Sequence, residues 1–304
     1  MRRVGSIIAN DSLLLLTALI WGLAFVAQRM GMSHVGPFTY NAVRFALGSL
    51  SLVPLILVRR TRARRAGPDT VVSEPRRIGA VPAGLIAGSI LFFGASLQQI
   101  GIVTTTAGKA GFITGLYVVL VPLTGLFWRQ RTGWSAWAGA CLSVAGLFLL
   151  SLTNAFTIER GDLLVLVGAF FWTAHVQAVG MLAPRTDPIG LSCVQFALCS
   201  ALSAGGALLT EQPRLSAVLA AAGPILYGGV MSVGIAYTLQ VVAQRSAPPA
   251  HAAILLSLES VFAALGGYIV LGESLSLRGA VGCAVMFAGM LVSQSPLVMR
   301  RTRL

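Results

Sequence analysis

Long apolar runs alternate with short polar breaks along this chain. The runs fall at 13–31, 39–58, 78–98, 106–127, 134–150, 163–183, 189–209, 219–242, 250–271 and 279–292. Each is about the length a helix needs to cross ~30 Å of hydrocarbon, and the backbone there must be helical because lipid offers it no hydrogen-bond partner. Turn and charge signals fill the breaks: Gly36-Pro37, Arg129-Gln130-Arg131, Pro184 to Pro188, Glu211 to Arg214, and Gly272-Glu273. The pattern predicts an all-α integral membrane protein with ten transmembrane helices.

Composition agrees with that reading and sharpens it. Of 304 residues, 56% are hydrophobic and 10% charged, and the mean hydropathy is +0.83. A water-soluble enzyme is excluded. The formal charge of +13 would raise nucleic-acid binding in a soluble protein; in a membrane protein it sets orientation. Threading ten spans from an inside start places sixteen arginines in the cytoplasm, among them Arg2, Arg3, Arg129, Arg185, Arg245 and Arg300. The basic loop 59–77 holds the densest group. Only Arg29, Lys109, Arg160, Arg214 and Arg278 fall outside, with Arg44 within a span. Both termini are therefore expected in the cytoplasm, and the loop is read as touching anionic headgroups, with no nucleic-acid role. Arg2-Arg3 before an apolar stretch resembles a signal peptide, but no small-x-small site follows, so a retained helix is expected. Cys141, Cys193, Cys199 and Cys283 lie inside apolar runs without a CxxC and read as core residues. Arginine far outnumbers lysine, which points to a GC-rich bacterial genome and a cytoplasmic (inner) membrane location.

An internal repeat carries the most information. A shift of 151 residues brings Asp11 onto Asp162, Trp21 onto Trp172, Pro37 onto Pro188 and Phe45-Ala46-Leu47 onto Phe196-Ala197-Leu198. A shift of 142 brings Gln98 onto Gln240, Lys109 onto His251 and Leu116 onto Leu258; one further step brings Gly139 and Gly146 onto Gly282 and Gly289. The chain reads as two five-helix units, 1–151 and 152–304. Five is odd, so the second unit enters the membrane from the opposite side. The result is an inverted repeat, the architecture many secondary transporters use for alternating access.

The same residues carry a family resemblance. Gly161-Asp162-Leu163-Leu164 leading to Phe171-Trp172, Arg44-Phe45, the run from Thr106 to Phe112 with Leu116 to Pro122, and Ser257 to Ala264 with Gly272-Glu273 are similar to the EamA type of drug/metabolite transporter. The resemblance covers nearly the whole chain. It implies a ten-helix carrier of small metabolites or drugs, often an exporter, with the fifth and tenth helices peripheral to the pathway. Ser260 stands where the family usually has proline, and Arg131 stands in the first unit where the second has Glu273.

Few polar groups lie inside the spans, and such groups should face protein or water and have a partner. Glu259 is the deepest acid, about 13 Å along the ninth helix, and is a candidate for proton coupling or for a structural charge. Lys109 and His251 are repeat mates on opposite sides of the midplane; they can bind an anionic group in turn, or snorkel to their own interfaces. Arg44 has the neutral mate Gln195 and can also snorkel outward, anchoring being the preferred reading. Trp21 and Trp172 are mates, with Gln28 and His175 one or two turns beyond. Gln98 and Gln240 are mates, Tyr117 is the mate of Glu259, and Tyr237, Gln240 and Gln244 share a helical stripe. These residues form a candidate aromatic-and-amide lining, with interhelix packing as the alternative. Gly84-x-x-x-Gly88 and Gly111-x-x-x-Gly115 read as packing or sliding surfaces.

The sequence therefore favours a secondary transporter of small polar or amphipathic metabolites, such as amino acids, related metabolites or drugs. Gly108-Lys109 is no P-loop, since the preceding glycine is missing and Ala110 follows. An intramembrane enzyme would need a nucleophile–base or metal constellation; His34, His175 and His251 are scattered. A non-transporting scaffold or receptor is the other alternative. The expected partners are a small-molecule substrate and the lipid bilayer, with a homodimer left open; neither a cofactor nor a metal is expected.

Overall fold

The computed structural model describes residues 2–65, 78–130, 132–151 and 159–299, and every regular element among them is helical. Arg76, Arg77, Arg131, Arg300, Arg301 and Arg303, to which the sequence assigns much of the cytoplasmic charge, lie outside the described residues. Helices α1 (Arg2–Gly31), α2 (Pro37–Arg65) and α3 (Ala80–Gly101) are continuous. The fourth apolar run folds as two pieces, α4 (Ala107–Gly115) and α5 (Tyr117–Gly125). Next come α6 (Trp134–Ser151), α7 (Arg160–Leu182) and α8 (Pro188–Thr210). The eighth run is built from α9 (Leu215–Ala220), α10 (Ala222–Leu226), a π-helical stretch Tyr227–Tyr237 and α11 (Thr238–Ala243). The ninth is again split, into α12 (Pro249–Leu256) and α13 (Glu259–Leu271), and α14 (Leu277–Met299) closes the described chain.

Among the described residues, eight helical stretches are long and apolar enough to cross a bilayer, and the fifth and tenth runs give the shorter apolar stretches Trp134–Leu149 and Leu277–Ser293. Those two shorter helices pack along each other. Glycines bring them together: a Cβ on Gly146 would stand 2.5 Å from the Gly282 carbonyl oxygen, and one on Gly139 would stand 2.7 Å from that of Gly289. Side chains at these positions would force the backbones apart. Gly84 and Gly88 likewise seat α3 against Val194 and Gln195 of α8, and Gly111 seats α4 against Ala263 of α13, so both glycine pairs lie in helix-packing contacts.

Two breaks decide where the polar side chains end up. At Leu116 and at Leu258, which align under the shift of 142, the backbone stays near the α region but tightens. Leu116 N–H donates to Ile113 O (3.2 Å) and Leu258 N–H to Leu255 O (3.3 Å), three residues back instead of four. Neither break sits at a proline. Each rotates the helix that follows, so that Tyr117 and Glu259 open α5 and α13 facing inward. Helix starts are held by carboxylates from distant segments. Glu211 accepts from Phe38 N–H and Thr39 N–H (2.8 Å each), closing the start of α2, and Glu273 accepts from Ala107 N–H (3.1 Å) and Gly108 N–H (3.2 Å), closing that of α4. A carboxylate there meets unsatisfied N–H groups and the positive end of the helix dipole.

Candidate substrate-binding site

A small cavity lies among α1, α2, α3, the α4/α5 break, α7, the π-helical stretch, α11 and the start of α13. Its walls include Trp21, Gln28, Arg44, Gln98, Tyr117, Trp172, His175, Tyr237, Gln240 and Glu259, with Ala24, Phe25, Thr114, Val176 and Ser232 between them. Neither α6, α8 nor α14 contributes to the lining. Five repeat-mate pairs face it: Trp21 and Trp172, Ala24 and His175, Phe25 and Val176, Gln98 and Gln240, Tyr117 and Glu259.

Tyr237 stands at the centre of an aromatic wall. Its ring centroid lies 4.4 Å from that of Trp21, 6.1 Å from Trp172 and 6.0 Å from His175. Such separations are those at which aromatic rings attract each other. The amides are partly engaged with one another. Gln98 donates to Gln28 Oε1 (3.0 Å), Thr114 Oγ1 donates to Gln98 Oε1 (3.4 Å), and Gln240 donates to Gln244 Oε1 (3.0 Å). His175 Nε2 is 3.0 Å from Gln195 Oε1. Trp21 Nε1–H donates to the Ser232 carbonyl (3.3 Å), tying the aromatic wall to the π-helical stretch.

Two ionisable side chains share this cavity, both buried. Arg44 is 2% exposed. Its Nε–H donates to Asn41 Oδ1 (2.9 Å), and its guanidinium lies 4.8 Å from the Phe45 ring centroid and 5.5 Å from that of Tyr40. Asn41 is itself held by a hydrogen bond to the Ala95 carbonyl. No carboxylate is within ion-pair distance of Arg44 among the described residues. Glu259 is 3% exposed and likewise forms no ion pair there. Glu259 lies close to Tyr117, but without the geometry of a formed hydrogen bond; Glu259 Oε1, the Tyr117 hydroxyl, Trp172 Nε1 and Gln240 Oε1 are buried and unpartnered among the described residues. Tyr237 lies near both charges. Unpaired polar and ionisable groups are costly to bury, so a cluster of them around one cavity makes it the candidate binding site.

A family model described as the EamA-like transporter family matches residues 9–152 and 159–294. The chain belongs to the EamA-like transporter family. This EamA-like transporter is 30% identical over 267 residues to an uncharacterized transporter of Archaeoglobus fulgidus, covering 86% of this chain and 78% of that one. It is 26% identical over 270 residues to the uncharacterized inner membrane transporter YedA of Escherichia coli K12, covering 85% and 81%. A chain in a solved crystal structure matches its fold with a TM-score of 0.69 at 22% identity, over 97% of this chain and 99% of that one. The protein is thus a multi-pass membrane transporter.

Of the twelve residues singled out from the sequence of this EamA-like transporter, ten line the one cavity. Arg44 does not snorkel outward, because Asn41 and the Tyr40 and Phe45 rings hold it inside. Lys109 and His251 do not reach the lining. Lys109 Nζ is 3.7 Å from Asp162 Oδ2, and His251 Nε2 is 2.8 Å from Asp11 Oδ1. Gln244 stays beside Gln240 on the same stripe, accepting from its amide (3.0 Å), and donates to the Val176 carbonyl (3.0 Å) behind the lining. Ala24, Phe25, Thr114, Val176 and Ser232 were not read from the sequence. The repeat offset, applied outward from Trp21 and Trp172, would have found Ala24 and Phe25 with their mates; Ser232 lies in the π-helical stretch, where α-helical periodicity gives no signal.

Proposed function

We propose that this protein is a secondary transporter that moves small zwitterionic or amphipathic metabolites out of the cell across the cytoplasmic membrane by alternating access. In this reading residues 1–151 and 152–304 are two inverted five-helix halves, both termini face the cytoplasm, and the central cavity is the substrate site. One observation carries it: a guanidinium and a carboxylate are buried in the same cavity, neither with a counter-ion among the described residues, and an aromatic wall stands beside them. A ligand with both a carboxylate and an ammonium satisfies both charges at once, Arg44 taking the first and Glu259 the second. Its apolar body packs against Trp21, Tyr237 and Trp172. Glu259 is also the group through which proton movement is coupled to transport. Export as the direction rests on the family likeness.

Counterflow in proteoliposomes tests the assignment. Vesicles preloaded with phenylalanine or leucine should accumulate the labelled amino acid. Phenethylamine and phenylpropionate, each lacking one charge, should not exchange. Equal exchange of the single-charge analogues, or no movement of any of them, would overturn the reading of the site. Uptake that survives Glu259→Gln unchanged at every pH would remove Glu259 as the coupling group.

A further inference from the structure

Asp11 and Asp162 are repeat mates, and so are Lys109 and His251. The structure pairs them crosswise: Asp11 of the first half meets His251 of the second, and Asp162 of the second half meets Lys109 of the first. Each pair therefore bridges the two halves. Both lie well away from the cavity along their helices. Asp11 precedes Trp21 by ten residues on α1, and Asp162 precedes Trp172 by ten on α7, about 15 Å in each case.

The two pairs sit at opposite ends of the molecule. Arg29, near the far end of α1, donates to the carbonyls of Ile102 and Val103, just before α4 and Lys109. Asp11 is eighteen residues back along the same helix, about 27 Å away. The second half repeats the arrangement: Asp162 opens α7, and Gly180, eighteen residues on, packs against Pro249, beside His251. The cavity is thus flanked by one cross-half bridge at each end, and both are closed in this structure.

The bridges differ in strength of anchorage. Asp162 Oδ1 accepts from Thr105 Oγ1 (2.6 Å), and its Oδ2 accepts from Glu159 N–H (3.0 Å) as well as facing Lys109. Among the described residues, Asp11 has the single contact with His251, at 2.8 Å. Both pairs are largely shielded, with side-chain exposures of 24% and 9% for Lys109 and Asp162, and 14% and 15% for His251 and Asp11. Separating one pair at its end leaves the other intact, because they share no residue.

We propose that Asp11–His251 and Asp162–Lys109 are the two clasps of the transport cycle, each holding the halves together at one end and released only while the other stays shut. The proposal rests on the transporter reading above and assigns roles to four residues that do not touch the cavity. The Asp11 clasp, with one contact against three, is the one that opens more readily.

A cavity-facing reporter tests this without any substrate. Ala24→Cys is introduced after Cys141, Cys193, Cys199 and Cys283 are replaced by alanine, and a membrane-impermeant maleimide is applied from either side of oriented vesicles. Labelling should be slow from both sides in that parent. Asp11→Asn should speed it about fivefold from one side only, and Asp162→Asn from the other side only, since a partly exposed contact of this kind holds up to about that factor. The charge swap Lys109→Asp with Asp162→Lys should restore slow labelling, which a merely misfolded variant would not. Hydrogen exchange on the native-cysteine chain gives a second measure. Asp11→Asn should loosen the start of α12, and Asp162→Asn the start of α4. If both variants act from the same side, or neither changes labelling or exchange, the clasps are wrong. A protein that shows sided labelling but moves no substrate would retain the clasps and lose the transporter reading.

Discussion

Arg44 lies in the second apolar run, five residues from a turn, and in sequence it has the look of an interfacial anchor. Its long stem could reach either way, and only the brace from Asn41 and the two flanking rings turns it inward. Those partners sit at 40, 41 and 45 of the same helix, so the signal was local, but nothing in the spacing fixes which way the guanidinium points. Replacing it by its mate's residue, Arg44→Gln, should weaken binding of phenylalanine at least tenfold, as hydrogen bonds to a charged group contribute about 1.5–3 kcal/mol. The same change should leave phenethylamine binding nearly unaltered, and calorimetric titration of both ligands separates the two effects. Glu259→Gln keeps the shape and removes the charge; it should reverse that preference, weakening the amine and sparing phenylpropionate. Tyr117, Trp172 and Gln240 were legible as candidate lining residues through the repeat. Their lack of partners was not, because unpaired hydrogen-bonding groups appear only once every neighbour is placed.

At the scale of elements, the apolar runs mark where helices lie but not where they bend. The fourth and ninth runs read as single helices, and each is broken at the equivalent leucine, where hydrogen bonds shorten by one residue. Leucine carries no breaking signal of its own. The eighth run differs in another way: its middle, Tyr227–Tyr237, is π-helical, so Ser232 reaches the cavity wall at a position α-helical periodicity does not give. The glycines were the more readable feature, since Gly139, Gly146, Gly282 and Gly289 align between halves and meet across α6 and α14. Gly146→Val should cost about 1–3 kcal/mol through overpacking and lower the melting temperature of the purified protein. Phenylalanine affinity of the folded fraction should stay at the parent value, because α6 supplies no lining residue.

For the molecule as a whole, charge and duplication were written most plainly in the sequence. The arginine bias rests on residue counts over short loops, which is the quantity that governs insertion. Reporters fused to either terminus should accordingly be reached by impermeant probes only from the cytoplasmic face, and reaching them from the outside would reverse the proposed orientation. What duplication does not reveal is how far the halves have diverged at the centre. Arg44 faces its counterpart Gln195 only in register, Tyr117 stands opposite an acid, and Ala24 is matched by a histidine. In the proposed inverted-repeat reading the scaffold carries a near two-fold axis, while its interior places a guanidinium at one pole and a carboxyl group at the other. A molecule turned end for end would meet like charge at both poles. If the cargo is the zwitterion proposed above, motion can be symmetric while the cargo travels in one attitude whichever end of the protein is open.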